Sequence, residues 1–465
     1  MNARLEDLPV VVIGAGPVGL AAAAHLYERG IPFALLEAGD GPAAAVRQWG
    51  HVRLFSPWRY NIDRAAGRLL DSAGWVEPEP DDLPTGAQLA EAYLQPLAEL
   101  PALRPSVRYG TQVVAVTRLN LDRVSSSRRE STPFLVRLSD GEDMLARAVV
   151  DASGTWGMPN TLGASGIPAH GEAAARSLLE HALPDVLGSA IDRFTGAHTL
   201  VVGSGHSAAN TLLALADLAG MSEGTTVTWA IRAARPDRLY GSGESDPLPA
   251  RGALATRLRE HVETGRIRLV TGFSVQTLVP SAGGGVSVFD GVRRLVVDRI
   301  VAATGFRPDH TIASELRLDL DPILGSPRAL APLIDPNAHT CDTVAPHGVN
   351  ELTHSEPGYY AVGVKSYGRA PTFLLTTGYE QARSVVAALA GDWDAARESQ
   401  LNLPEAGVCT SSTEDVDVAT SGCAAPASGQ SATGFPGRRL TGHRTLIELV
   451  DESPAGTGQS DICSC

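Results

Sequence analysis

Apolar positions along the chain fall into short unbroken runs that end in glycine, alternating with segments of helical periodicity. Residues 8–13 form one such run. Residues 20–29 then read as an alanine-rich helix and residues 33–36 as a second strand, a β–α–β start. A helix is expected over 85–100, entered after Pro84. β-rich segments are expected at 111–119 and 134–138, with a charged, serine-rich loop at 122–130 between them. Residues 148–152 read as a buried strand running into Ser153-Gly154. A second β–α–β start follows: a strand at 199–202, a glycine loop, a helix over 209–218 and a strand at 226–231. Residues 299–303 form another apolar strand entering Thr304-Gly305. Residues 359–362 read as a late strand and 377–390 as a final helix. From about Gly391 the character changes. Residues 410–430 are rich in Ser, Thr, Ala and Gly and carry too little apolar content to bury, which predicts a flexible tail with at most a short element at 446–450. No internal repeat stands out beyond the two glycine-loop units.

Composition narrows the classes. The length of 465 residues suggests two or three domains, and 43% hydrophobic residues with 48 glycines fit a packed globular chain. A formal charge of -14 argues against a nucleic-acid partner and against docking on an anionic membrane. No stretch approaches the roughly 20 apolar residues of a membrane span. The N-terminus shows no basic leader before an apolar core, so a cytoplasmic location is the default expectation. The five cysteines, Cys341, Cys409, Cys423, Cys463 and Cys465, contain no Cys-x-x-Cys, which speaks against a disulfide-stapled fold. Of 38 Lys and Arg residues only Lys365 is a lysine. Either arginine serves wherever a cation is needed, or position 365 requires an amine.

The first glycine loop has a mechanical reading. Gly14 permits a tight turn, Gly16 lets the backbone approach a pyrophosphate, and Gly19 lets helix and strand pack closely. Pro17 stands in the same loop, and the N-terminus of the helix that follows favours anions. Glu37 ends the second strand, about 20 residues on, where a carboxylate holds a ribose hydroxyl. The loop is therefore expected to hold FAD. Gly203, Gly205 and Ala208 repeat the pattern, with His206 and Ser207 inside the loop. The strand after them ends in Arg232, followed by Arg235 and Arg238, and no acid stands there. Guanidinium groups match phosphate oxygens, so the second loop is expected to take NADPH, with Arg232 on the 2′-phosphate or, alternatively, in a solvated turn. Two such sites point to hydride transfer from NADPH to a flavin.

These loops, with Ala152-Ser153-Gly154-Thr155 and Ala303-Thr304-Gly305-Phe306-Arg307-Pro308-Asp309, resemble the two-dinucleotide-binding-domain flavoproteins over roughly residues 8–395. The resemblance implies an α/β fold of two Rossmann-like dinucleotide-binding domains. The FAD domain is discontinuous (1–160 and 300–395), the NADPH domain is inserted (161–299), and 396–465 is a cysteine-bearing tail. The strand-to-glycine segments Ser153-Gly154 and Thr304-Gly305 are then the crossovers. The thioredoxin-reductase-like branch carries a Cys-x-x-Cys, absent here, and an Asp where this chain has Val364 after Gly363. Flavin-containing monooxygenases look closer: Trp49 resembles their Gly-Gly-x-Trp region without the double glycine, and Tyr379-Glu380-Gln381-Ala382-Arg383 resembles their C-terminal helix. Their Phe-x-Gly-x-x-x-His fingerprint is incomplete, because Gly166 and His170 keep the spacing but Ala164 replaces Phe. The runs from Arg53 to Asn61 and from Lys365 to Phe373 are similar to flavoproteins of bacterial arsenic-resistance clusters.

The resemblance places the segment after the last strand near the flavin, together with the following helix N-terminus. Gly363, Pro371 and Thr372 would line the cofactor there. Lys365 and Arg369 are the candidate catalytic cations, stabilising negative charge on the ring. Trp58 and Tyr60 are candidates to stack on substrate or to pack in the core. No metal site is expected, although Cys463 and Cys465 form a terminal Cys-x-Cys whose thiolates suit soft metals or arsenite. Three functions stay open: an NADPH-reduced monooxygenase acting on a small molecule, an NADPH-dependent reductase or oxidase in arsenic or thiol metabolism, and a flavin-bound electron carrier or sensor with a metal-binding tail.

Overall fold

The computed structural model describes residues 4–235, 240, 248–337, 347–371 and 373–401. Two five-stranded parallel sheets form its framework. The first has the order β16-β7-β1-β2-β3, built from β1 (Val10–Ile13), β2 (Phe33–Leu36), β3 (Val107–Arg108), β7 (Ala148–Asp151) and β16 (Tyr359–Ala361). The second has the order β8-β15-β9-β10-β11, built from β8 (Leu179–His181), β9 (His198–Val202), β10 (Thr226–Ala230), β11 (Ile267–Val270) and β15 (Arg299–Ala302). Each carries a three-stranded antiparallel meander: β4 (Val113–Arg118), β5 (Phe134–Leu138) and β6 (Asp143–Ala146) before β7, and β12 (Thr277–Pro280), β13 (Val286–Phe289) and β14 (Arg294–Val297) before β15. The repeat is therefore a whole unit of sheet plus meander, larger than the glycine loops alone. Because β15 pairs with β9, the second sheet runs through Ala302, across the boundary expected at 299/300.

The all-apolar strands have a direct cause. β1 is buried at all four positions because both faces of its sheet are covered. Helices α1 (Pro17–Glu28) and α4 (Leu375–Leu389) cover one face; β4 supplies Val116, β5 Phe134 and Val136, and β6 Ala146 to the other. Small residues set the spacing: Ala21, Ala22, Ala23 and Ala24 of α1 are fully buried. A Cβ on Gly378 of α4 would lie 2.5 Å from Cγ2 of Val18 on α1. In the second unit α2 (His206–Met221) and α3 (Pro249–Glu263) pack on the sheet.

The helix expected over 85–100 forms, with a capping box in which Gln88 N donates to Thr85 Oγ1 and Thr85 N to Gln88 Oε1. Its middle, Leu89–Leu94, is wound as a π-helix. Pro96 has no N–H to give to Ala92 O, one turn back, and Trp75 Nε1 takes that carbonyl at 2.8 Å.

The charged loop at 122–130 is exposed at most positions, but it hides one cation. Arg129 is buried, and its Nε donates to Glu356 Oε2 at 2.8 Å, while Arg118 Nε donates to Oε1 at 2.7 Å. Burial works against the Glu356 charge, but the two arginines outweigh it and hold the carboxyl below its usual range.

His354 supplies a test in solution. Its Nδ1 accepts the Asp319 N–H at 3.2 Å, and burial pushes its pKa down to about 4. The unfolded chain then binds the proton first, so stability is full above the ordinary value and falls as pH drops from 6.5 towards 4. The loss due to this group is roughly 3 kcal/mol. His310 and His198, also lowered mainly by burial, act in the same direction. Urea midpoints across that window should fall for the native chain and fall less for His354→Asn; equal slopes would exclude the histidine as the cause.

Candidate functional site

The three glycines of the first loop do different work. Gly14 has φ +97°, and a Cβ on it would lie 2.8 Å from Ala152 O. A Cβ on Gly19 would lie 1.8 Å from Gly14 O, so only glycine lets α1 approach the loop. A Cβ on Gly16 would meet nothing within 4 Å. The middle glycine thus presents bare backbone to open space, as a pyrophosphate cradle requires. Pro17 is the first residue of α1. Glu37 reaches this loop: Oε2 accepts Ala15 N at 2.7 Å and Oε1 accepts Gly39 N at 2.8 Å.

Two further segments close on the same place. Gly14 abuts Ser153, and a Cβ on Gly154 would come 3.9 Å from Cγ1 of Val364. Gly363, at φ +72°, packs on Val18, and its N–H donates to Gln381 Oε1 at 2.8 Å. Gly14, Gly16, Pro17, Gly19, Glu37, Ser153, Gly154 and Gly363 are therefore brought together. Trp49 lies to one side, its ring against the Gly86 backbone.

In the second loop a Cβ on Gly203 would lie 2.0 Å from Ala303 O, while Gly205 faces open space and Ala208 is buried. His206 and Ser207 open α2. Trp229, fully buried, donates Nε1 to Gly203 O at 2.7 Å and locks the turn, a role no local pattern announces. Arg232 is exposed beyond β10, its Nη1 3.3 Å from Ala164 O. Arg238 lies outside the described residues. Phe55, from the segment Arg53 to Asn61, sets its ring 5.0 Å from that of His206. Asn61, buried and bonded to the Ser56 and Pro57 carbonyls, holds that segment in shape.

The two crossovers form one ribbon. Asn160 N donates to Gly305 O, Asn160 Nδ2 to Thr304 O, and Trp156 stacks on Phe306 with centroids 4.9 Å apart. Thr304 Oγ1 returns a bond to Asn160 O.

The remaining expected site residues have other surroundings. Lys365 is buried, its Nζ 2.6 Å from Asp151 Oδ2 and 3.0 Å from Ser153 Oγ, because an amine taken out of water needs an anion beside it. The charge assigned to the flavin ring is thus neutralised within the protein. Arg369 and Pro371 are exposed. Trp58 is a core residue, 4% exposed, in line with the packing alternative. His170 is exposed beside Thr277. Thr372 and all five cysteines, Cys463 and Cys465 included, lie outside the described residues. Among the described residues no group of His, Cys, Asp and Glu has a metal-holding arrangement, and no helix is long and apolar enough to cross a membrane.

Residues 11–324 match the pyridine nucleotide-disulphide oxidoreductase family. The chain belongs to this family. Among curated proteins it is 30% identical over 199 residues to the indole-3-pyruvate monooxygenase YUCCA1 of Oryza sativa subsp. japonica, covering 42% of each chain. It is 27% identical over 150 residues to the rifampicin monooxygenase of Rhodococcus hoagii, covering 31% of each. The match thus spans less than half of either relative. Among solved structures, the bacillithiol disulfide reductase of Bacillus cereus superposes with TM-score 0.59 at 18% identity, covering 83% of this chain and 99% of that one. A flavin-containing monooxygenase of Stenotrophomonas maltophilia gives 0.51 at 23%, covering 83% and 98%. These likenesses show the two-domain Rossmann-like fold.

Proposed function

We propose that the protein is an NADPH-reduced flavin monooxygenase acting on a small molecule. The observation that carries the two-cofactor reading is the pair of loops: each presents its middle glycine to open space, with Glu37 on the first and an exposed Arg232 beyond the second. Glu37 suits the ribose hydroxyls of FAD and would repel a 2′-phosphate, which Arg232 would accept. Bound FAD supplies the two-electron chemistry. The chain's own part is alignment. Gly16 and the α1 N-terminus hold the pyrophosphate, Gly363 and Gly154 border the same site, and Phe55 closes against His206 at the mouth of the second loop. The monooxygenase relatives favour oxygen insertion. The lack of any Cys-x-x-Cys removes the dithiol that a disulfide reductase of thioredoxin-reductase type would use. A reductase or oxidase acting on a soluble substrate is the second reading, favoured by the Ala164 departure from the monooxygenase fingerprint.

Anaerobic mixing with NADPH or NADH, then oxygen, tests this. We expect faster reduction by NADPH. Arg232→Ala should raise KM for NADPH about tenfold, the loss of about 1.4 kcal/mol from one charge-assisted contact, and leave KM for NADH unchanged. An equal effect on both nucleotides would remove Arg232 from the 2′-phosphate. Stoichiometric hydrogen peroxide release in the presence of every candidate substrate would favour the oxidase.

A further inference from the structure

The two crossovers are built alike except at one position. Asp151 ends β7 and pairs with Ile13, the residue before Gly14. In the second unit Ala302 ends β15 and pairs with Val202, the residue before Gly203. A methyl therefore stands in the second crossover where the first has a carboxylate that is 0% exposed. Four donors converge on it. Lys365 Nζ, at 2.6 Å, and the Tyr359 hydroxyl, at 2.7 Å, donate to Oδ2; the Ser153 hydroxyl, at 2.6 Å, and Ser153 N, at 3.1 Å, donate to Oδ1. Lys365 Nζ also donates to Ser153 Oγ at 3.0 Å. Lys365 lies in the turn Gly363–Tyr367 after β16, and Val362 N donates to Asp151 O. The far side of that turn is held by Gln381 through Gly363 N and Ser366 Oγ.

A buried ion pair is an expensive way to join two strands if packing is all that is needed. Its placement gives it another use. The crossover Ser153-Gly154 and the turn Gly363-Val364 come from strands more than two hundred residues apart in sequence, and both border the first loop. Lys365 and Asp151 join them directly below that border.

We propose that Asp151 and Lys365 are a positioning pair for FAD, which fixes the crossover at Ser153-Gly154 against the turn at Gly363-Val364 so that both backbones face the cofactor at a set separation. The pair is electrically neutral and works through Ser153 and Gly363, without contact to the flavin. This rests on FAD occupying the first loop.

The test uses the full chain, stripped of flavin and titrated with FAD, with urea midpoints of the apoprotein and the FAD-induced rise in Tm as separate readouts. Lys365→Met should weaken FAD binding about tenfold or more and shrink the FAD-induced rise in Tm. It should also lower the apoprotein midpoint, because Asp151 is left buried without its cation. The double variant Asp151→Leu with Lys365→Met removes both charges and should recover most of the apoprotein midpoint. If the pair positions the cofactor, FAD affinity stays low in that double variant. FAD affinity that returns with the midpoint, or that never falls, overturns the proposal and leaves the pair a packing device. A native apoprotein that takes up no FAD would overturn the cofactor assignment and the proposal with it.

Discussion

Gly19→Val should yield a chain that elutes without flavin, with FAD affinity lowered at least about a hundredfold, a loss of about 2.7 kcal/mol. The Cβ alone would stand 1.8 Å from Gly14 O, and that oxygen belongs to the turn itself, so no side chain can rotate out of the way. Either α1 retreats or the loop opens. Both move the free N–H groups at the helix start away from the anion they would bind. The contrast with Gly16→Ala sharpens the reading. A Cβ there meets nothing within 4 Å, so that variant should keep the apoprotein's urea midpoint and lose FAD affinity only because the methyl intrudes on the cofactor. Flavin absorbance after gel filtration measures both. Full flavin content in Gly19→Val would show that this loop is not the pyrophosphate site.

The second large effect concerns stability. Glu356→Ala should cost about 3–5 kcal/mol, a large share of the total for an ordinary protein. The carboxylate is 0% exposed and takes Arg118 Nε, Arg129 Nε and the Arg317 N–H. Removing it leaves two guanidinium groups buried without a counter-charge. Glu356→Gln keeps the shape and one acceptor and should cost less. Because Glu356 lies three residues before β16, its loss should also loosen the strand that delivers the turn at Gly363. Urea unfolding monitored by far-UV circular dichroism gives the ranking. A wild-type midpoint in Glu356→Ala would mean that the arginines find solvent or other acceptors.

Much of the framework is legible from local pattern. β5 spans Phe134–Leu138 as expected, and α1, α2 and α4 differ from expectation by a few terminal residues. The helix α3 and the meander β12–β14 are not legible in the same way. α3 carries arginines on several sides and no clean apolar stripe, and the meander strands are only four residues each. The glycine loops are legible because their sterics are local: Gly14 and Gly19 are neighbours across one turn, whatever the rest of the chain does.

The sequence by itself determined the two glycine loops, the acid after the first, the arginine after the second and the β–α–β succession around each. These features act within one β–α–β unit, where spacing along the chain equals spacing in space. Only the tertiary structure decided what Lys365 does, because its partner Asp151 is brought beside it by the adjacency of β7 and β16. The same holds for Glu356 with Arg118 and Arg129, for Trp229 on Gly203 and for Phe55 on His206. A buried charge declares that it needs a partner, but sheet order selects which one, and sheet order is a property of the whole chain.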